Sequence, residues 1–188
     1  MENSTKMWIV SNFLFLGLNG HGQNNDIDSL RNPFSQYYLT DMNLRDVAQL
    51  IVEDSIQPID NIVTLSILDS VVQGNEASRN YFADAFDVII IKSDGALSEV
   101  IGQYCITSIY NNPNELLKWL SSGRFESSPE SIAQYIVYEL IMSENPEKKK
   151  EELVYRIIRD SIKTSRFLKL SNNFIEIVNK DFELQIKE

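Results

Sequence analysis

Residues 81–110 carry the pattern that most constrains the fold, because apolar side chains recur there at three- and four-residue steps, twice in succession. The first series is Phe82, Ala85, Phe86, Ile89 and Ile90, and the second is Leu97, Val100, Ile101, Tyr104, Cys105 and Ile109. This spacing places side chains on one face of a helix. It predicts two core-facing helices joined by a tight turn at 92–95, with Asp84, Asp87 and Lys92 outside the apolar face and Asp94 capping the second helix. We expect this pair to form the centre of the fold.

Two details of this pair need interpretation. Val88 to Ile91 has the composition of a strand when taken alone, since β-branched side chains favour extended backbone. The helical pattern around it and the length of that pattern favour a helix. Gly102 lies in the middle of the second helix, where glycine costs about 1 kcal/mol relative to alanine. We interpret it as a point where a neighbouring helix approaches closely.

Three later segments share one helix-start signal, in which a capping residue precedes a proline and a glutamate follows in the first turn. They are Asn112-Pro113, Ser128-Pro129 and Asn145-Pro146. Proline is tolerated at the first helical position because its missing N–H has no partner there, and the helix dipole favours a glutamate nearby. The predicted helices run from Asn114 to Ser121, from Glu130 to Met142 and from Glu147 to about Lys163.

The remaining periodic segments complete an all-α fold of about seven or eight short-to-medium antiparallel helices. They run from Leu44, capped by Asp41 or Asn43, to about Ser55; from Asn61, capped by Asp60, to about Gln73; and from about Asn172 to Lys180. Helix starts recur at roughly 16 to 17 residues, so the arrangement resembles a short HEAT-like or TPR-like solenoid of stacked hairpins, in architecture alone and without the residue signatures of those families. An irregular closed bundle is the alternative.

The N-terminal 22 residues have the features of a signal peptide. Lys6 precedes an apolar stretch from Met7 to Leu18, and Gly20 and Gly22 are small residues at the expected cleavage site. The apolar stretch is shorter than the ~20 residues of a membrane span, and a buried N-terminal helix or strand is the alternative. The predicted organisation is therefore a signal peptide at 1–22, an irregular lead-in at 23–40 and one helical domain at 41–188, located outside the cytoplasm as a periplasmic or secreted protein.

Composition excludes several function classes. Seventeen basic and 27 acidic residues give a net charge of −10, which argues against a nucleic-acid backbone or an anionic membrane as the main partner. With Cys105 as the one cysteine and His21 as the one histidine, the chain has no intrachain disulfide, no Cys/His zinc cluster, and in the mature form no Ser-His-Asp or Cys-His pair. Cys105 is expected to be a small buried side chain. We predict no catalytic residue, metal ligand or cofactor.

One spacing suggests an interaction surface. Arg156, Arg159, Lys163 and Arg166 step by three, four and three residues, which would place them in one basic stripe if the helix extends that far. The stripe would contact the acidic first half of this molecule or of another, or bind an anionic ligand; alternatively, Glu152 and Asp160 make it an ordinary solvated face. Trp119 and the tyrosines Tyr135, Tyr138 and Tyr155 are candidate aromatic anchors, with burial in the core as the alternative.

Three functions remain open from the sequence. The first is a protein-binding or scaffolding module, the second an acidic inhibitor or immunity-type protein, and the third a carboxylate-dependent hydrolase. Acidic pairs such as Asp84 with Asp87 are plentiful, but adjacency does not place two carboxylates in one cleft. An exposed apolar or aromatic patch would favour the binding module, an acidic concave face without a pocket the inhibitor, and a deep cleft with converging carboxylates the hydrolase.

Overall fold

Proline residues start three helices of this protein, as the sequence predicts, although Asn112 before Pro113 makes no side-chain cap bond. The computed structural model describes residues 43–162 and 168–187, and within them the chain forms eight α-helices and no strand. In chain order they are α1 (Leu44–Val52), α2 (Ile62–Gln73), α3 (Glu76–Lys92), α4 (Gly95–Asn111), α5 (Pro113–Ser121), α6 (Pro129–Ile141), α7 (Pro146–Ile162) and α8 (Leu168–Gln185). The all-α prediction is confirmed, and Val88 to Ile91 is helical.

Asparagine and serine caps satisfy first-turn backbone amides of four helices, among them α3, where Asn75 accepts from the N–H of Ser78. The Asn43 side chain accepts hydrogen bonds from the N–H groups of Arg45 and Asp46. Asn61 caps α2 in the same way, one residue after the predicted Asp60. Ser128 accepts from the N–H of Ser131 at 3.1 Å and caps α6. Asp94 occupies the capping position of α4 without a side-chain cap bond, contrary to prediction; Gly95 and Ala96, the first two residues of α4, are exposed, so water can satisfy their amides.

Two helix ends differ from the prediction. The first helix stops at Val52 rather than near Ser55, because Asp54 adopts a left-handed conformation with φ of 58° and its N–H bonds back to the carbonyl of Ile51. Lys92 at the end of α3 pairs with the carboxylate of Asp54. The last helix extends beyond the predicted range of 172–180 at both ends. Phe182, which is fully buried, gives the additional C-terminal turn a core contact that favours helix.

The helices pack against one another in a bundle. In one row α2 contacts α4, α4 contacts α6, and α6 contacts α8; α3 packs on α1 and α2, and α7 on α5. The helices of the predicted central pair pack chiefly on other helices rather than on each other. α4 contacts α2, α5, α6 and α7, and α5 also reaches α8. Contacts between helices three places apart in the chain, α4 with α7 and α5 with α8, close the bundle. The sequence alone did not distinguish a bundle from stacked hairpins.

The core is continuous and apolar, and it extends through every helix. Its largest fully buried side chains are Phe86, Phe174, Phe182, Ile51, Ile67, Leu68, Ile89, Leu97, Ile101, Ile109 and Leu116. Burying each contributes about 1.5–3 kcal/mol. Gly102 allows α4 and α6 to approach closely, as predicted: a Cβ atom there would lie 2.5 Å from Cγ of Glu139 and 2.8 Å from the carbonyl oxygen of Tyr135.

An ion pair joins helices that are distant in sequence. The guanidinium of Arg79 in α3 binds the carboxylate of Glu115 in α5 with two hydrogen bonds of 2.5 and 2.9 Å, and a third reaches the carbonyl of Gly74 at 2.6 Å. This pairing with Glu115 raises the pKa of Arg79. Because the geometry is bidentate and both side chains are largely buried, the pair orients α3 against α5.

Several sequence predictions concern residues that the structure does not describe. The predicted signal peptide at 1–22 and lead-in at 23–40 lie outside the described ranges, and both stay predictions. Among the helices of 43–162 and 168–187, none combines the length and the apolar character needed to cross a lipid bilayer.

Candidate functional site

The predicted basic stripe is described only in part. Arg156 is half-buried, and its Nε donates a 2.7 Å hydrogen bond to the carbonyl of Tyr110 at the end of α4. Arg159 is exposed, and its Nε lies 3.1 Å from Oδ1 of Asp160. Lys163 and Arg166 lie outside the described residues. Arg156 thus fastens α7 to α4, and the stripe as a binding surface stays a prediction.

Trp119, the predicted aromatic anchor, lies in the core. Its ring stacks on Phe125 with a centroid distance of 5.5 Å, and its Nε1 donates to Oδ1 of Asn80 at 3.3 Å. Only 2% of the residue is exposed. Trp119 is therefore a core residue, the alternative to a binding anchor that the sequence analysis gives. Tyr155 and Tyr138, in contrast, are 66% and 51% exposed, and Tyr138 lines a concave feature on the surface of the bundle.

That feature is a groove between the end of α3, the start of α4, one side of α6 and the end of α8. Its volume is about 810 Å³, within the range of roughly 300–1,000 Å³ typical of ligand sites. Its lining consists of apolar residues, hydroxyl groups, amides and carboxylates: Ile90, Ile91, Ser98, Glu99, Glu126, Ser127, Ser128, Ser131, Gln134, Tyr135, Tyr138 and Gln185. We refer to these residues as the α6 groove.

A buried carboxylate positions one wall of the α6 groove. Asp87 is 4% exposed and accepts hydrogen bonds from the backbone N–H groups of Glu126 at 2.6 Å and Ser127 at 3.1 Å. The sequence pattern wrongly placed Asp87 outside the apolar face. Its short side chain reaches two amide donors that follow α5, so those amides are satisfied inside the fold. The Asp87 carboxylate therefore has a structural partner on each oxygen.

A second set of contacts holds the same loop on α3. Arg124 donates through Nε to Oδ1 of Asp84 at 2.5 Å and through a terminal nitrogen to the carbonyl of Asn80 at 2.6 Å. Phe125, buried beside Arg124, packs edge-on against Phe86. The carboxylates of Asp84 and Asp87, which are three residues apart in sequence, therefore both serve to dock the 122–128 loop on α3.

The apolar surface of the α6 groove is partly uncovered. Ile91 is 49% exposed and Tyr138 is 51% exposed, although both side chains are large and apolar. A hydrogen bond positions the Tyr135 side chain, because its hydroxyl lies 2.9 Å from Oγ of Ser93 in the turn between α3 and α4. Exposed aromatic and aliphatic side chains in a concave site are typical of surfaces that bind partners.

The polar surface of the groove is acidic and includes an unpaired hydroxyl. Glu99 and Glu126 are both exposed, and the described lining contains no lysine, arginine or histidine. Ser127 is 7% exposed, and its Oγ has no hydrogen-bond partner among the described residues. Three other buried side-chain atoms, in Asn61, Thr64 and Asn114, share that condition, but none of these residues lines the groove.

The thiol of the single cysteine is enclosed in the core. Cys105 is fully buried, as predicted, and its burial raises the pKa of the thiol far above its usual range. A thiol held in that form is a poor nucleophile. Among residues 43–162 and 168–187, no three or more His, Cys, Asp or Glu side chains are placed to hold a metal ion.

The chain was compared with known families, curated proteins and solved structures, and it matches none of them. The α6 groove is therefore interpreted from its own geometry.

The sequence located part of this site and missed the rest. The sequence indicates Tyr135 and Tyr138 as candidate anchors, but it gives no such indication for Glu99, Glu126 and Ser127. Their alignment depends on how α4, α6 and the 122–128 loop pack, which no local pattern reports. Asp87 had a detectable signal: it follows Phe86 directly and lies four residues after Ala83, on a helix that is apolar around most of its circumference.

Proposed function

We propose that this protein is a binding module whose α6 groove receives a segment of another protein. The observation that carries the proposal is the exposure of about half of Ile91 and half of Tyr138 within one groove. Covering large apolar side chains of this kind on association is favourable, at roughly 25 cal/mol for each Å² removed from water. The partner is expected to contribute an apolar side chain to this region.

The rigidity of the groove also supports the proposal. Ile91 lies in the last turn of α3 and Tyr138 in the second half of α6, so both belong to helices that are packed in the core. Asp87 fixes the loop that leads into α6, and Gly102 fixes the distance between α4 and α6. A partner therefore meets a site that needs little ordering, which lowers the entropic cost of binding.

The acidic inhibitor is the second candidate, and two observations about charge favour it. Glu99 and Glu126 give the groove the charge that would attract a basic enzyme or toxin. In its favour is also the net charge of −10. Such an inhibitor is itself a protein that binds proteins, so it shares the groove and the test below.

The hydrolase receives less support from the same groove. Its two carboxylates, Glu99 and Glu126, are both exposed to water. A general acid requires a carboxyl group in an apolar, water-poor environment. Hydrolysis needs one carboxyl group in a water-poor environment and one in a solvated environment, and this pair does not provide that difference.

The proposal is tested by selecting binders for the full chain from a displayed library of random peptides. Peptides should be recovered, and Tyr138→Ala and Ile91→Ala should each weaken their binding by about tenfold or more, as expected at interface anchors. Tyr155→Ala is the matched control, because Tyr155 is a comparably exposed tyrosine on α7, outside the groove. It should leave affinity unchanged.

Two results would contradict the proposal. Recovery of no peptide, with binding instead to a panel of oligosaccharides that Tyr138→Ala abolishes, would make the groove a carbohydrate site. Peptides whose binding depends on Tyr155 as much as on Tyr138 would place the binding surface elsewhere on the bundle.

A further inference from the structure

The electrostatic character of the α6 groove indicates the charge of its ligand. Two full negative charges, on Glu99 and Glu126, line it without a basic side chain among its described residues. The N-terminus of α6 opposes them with a partial positive charge of about half a unit, and Glu130 in its first turn offsets part of that. The balance is negative, so the groove attracts cations and repels phosphates and carboxylates.

The aromatic surface of the groove favours the same kind of ligand. Tyr138 is half exposed, and the face of an aromatic ring attracts lysine and arginine side chains in addition to apolar ones. The aliphatic part of a long basic side chain can cover Ile91 while its charged end reaches a carboxylate. A neutral or acidic ligand would use only part of this combination.

Ser127 supplies an observation that is independent of charge. Its hydroxyl oxygen is buried at the wall of the groove and has no hydrogen-bond partner in the described part of the chain. Buried hydroxyl groups in folded proteins are almost always paired, and an unpaired one is unfavourable. A polar group of a ligand that fills the groove would provide the missing partner after a rotation of the serine side chain.

We propose that the segment bound in the α6 groove is basic, with a lysine or arginine that contacts the carboxylates of Glu99 and Glu126 and a neighbouring polar group that bonds to the hydroxyl of Ser127. This inference rests on the proposed function, since it specifies the partner of the same site. It assigns the groove to a cationic segment of another protein.

The first part of the test uses the peptides selected from the random library. They should be enriched in lysine and arginine relative to the unselected library. The double variant Glu99→Gln, Glu126→Gln should bind them about three- to tenfold more weakly, and raising the salt concentration should weaken wild-type binding more than binding by the double variant. Glu151→Gln, which removes an exposed carboxylate of α7, is the matched control and should have no effect.

The second part of the test concerns Ser127. Ser127→Ala should weaken peptide binding by about three- to tenfold, while the melting temperature of the free protein stays the same or rises, because the substitution removes an unpaired buried hydroxyl. Ser128→Ala, which deletes the α6 cap, should instead lower the melting temperature. If Ser127→Ala lowers the melting temperature and leaves affinity unchanged, the proposed contact with Ser127 is wrong.

The outcomes separate this inference from the proposed function. Peptides that depend on Tyr138 but show no basic enrichment and bind the double variant normally would overturn the inference and leave the binding module intact. Recovery of no Tyr138-dependent peptide would overturn both.

Discussion

At Gly102 a single methyl group would collide with the neighbouring helix. A Cβ atom there would lie 2.8 Å from the backbone oxygen of Tyr135, and a backbone atom cannot move without shifting α6. Gly102→Ala should therefore lower the free energy of unfolding by about 1–3 kcal/mol, whereas a glycine without close neighbours would gain roughly 1 kcal/mol from the same change. Urea denaturation followed by circular dichroism measures the difference.

Gln103→Ala, one residue away and exposed, is the control for Gly102 and should change stability by less than about 0.5 kcal/mol. A Gly102→Ala variant more stable than wild type would show that α4 and α6 do not approach as closely as the structure places them.

Glu139 provides a pH-dependent prediction at the residue scale. Desolvation by burial raises its pKa above the ordinary value of 4.5, and the charge of Lys149 only partly offsets this. A carboxyl group whose pKa is raised on folding contributes stability that is fully present below its unfolded pKa and is lost as the pH rises through its folded pKa.

Glu139→Gln removes this ionisation. It should therefore raise the melting temperature relative to wild type at about pH 7, and the difference should shrink as the pH falls below about 4.5. Glu151→Gln, at an exposed position of α7, should show no such trend. A Glu139→Gln effect that is constant with pH would contradict the assignment.

At the scale of elements, α3 docks the loop that leads into α6. Asp87 accepts two backbone hydrogen bonds from that loop while itself buried. Asp87→Ala would leave both amides without a partner, and we expect it to lower the free energy of unfolding by about 3 kcal/mol. Asp84→Ala breaks the half-exposed pair with Arg124 on the same helix and should cost about 1 kcal/mol or less. Thermal unfolding of the two variants compares them directly, and equal losses would rule out a special role for Asp87.

The helices were predictable to the extent that their signals are local. Pro113, Pro129 and Pro146 mark helix starts because proline stiffens the first turn, and Asn43 caps through a donor two residues away. Tertiary contacts decided the rest. Asp87 is buried because the 122–128 loop supplies donors, and α8 extends to Gln185 because Phe182 reaches the core. The 122–128 loop is distant in sequence from Asp87, and the core residues around Phe182 belong to other helices, so a pattern of neighbouring residues cannot predict either contact.

The groove itself was beyond local prediction. Its lining comes from four separate parts of the chain, represented by Ile91, Glu99, Tyr138 and Gln185. The tyrosines were recognisable as candidate anchors by type, but burial decides between anchor and core: Tyr138 is exposed and Trp119 is not. That difference arises from the packing of α3, α5 and α6 rather than from periodicity.

At the scale of the whole molecule, charge and shape act together. The net charge of −10 draws cationic partners toward the protein over distances comparable to the Debye length, which is about 8 Å at physiological ionic strength. In the proposed complex, the ligand would contact Glu99, Glu126 and Tyr138 in the groove of the helical bundle. Long-range attraction governs the rate of encounter, and the fixed groove governs the lifetime of the complex.

The most direct measurement is the mapping of a selected basic peptide onto the isotope-labelled full chain by backbone amide NMR. The largest shift changes should fall on the end of α3, the start of α4, residues 126–138 and the end of α8. Changes concentrated on α7 around Arg156 and Arg159, with the α6 groove unaffected, would contradict the account.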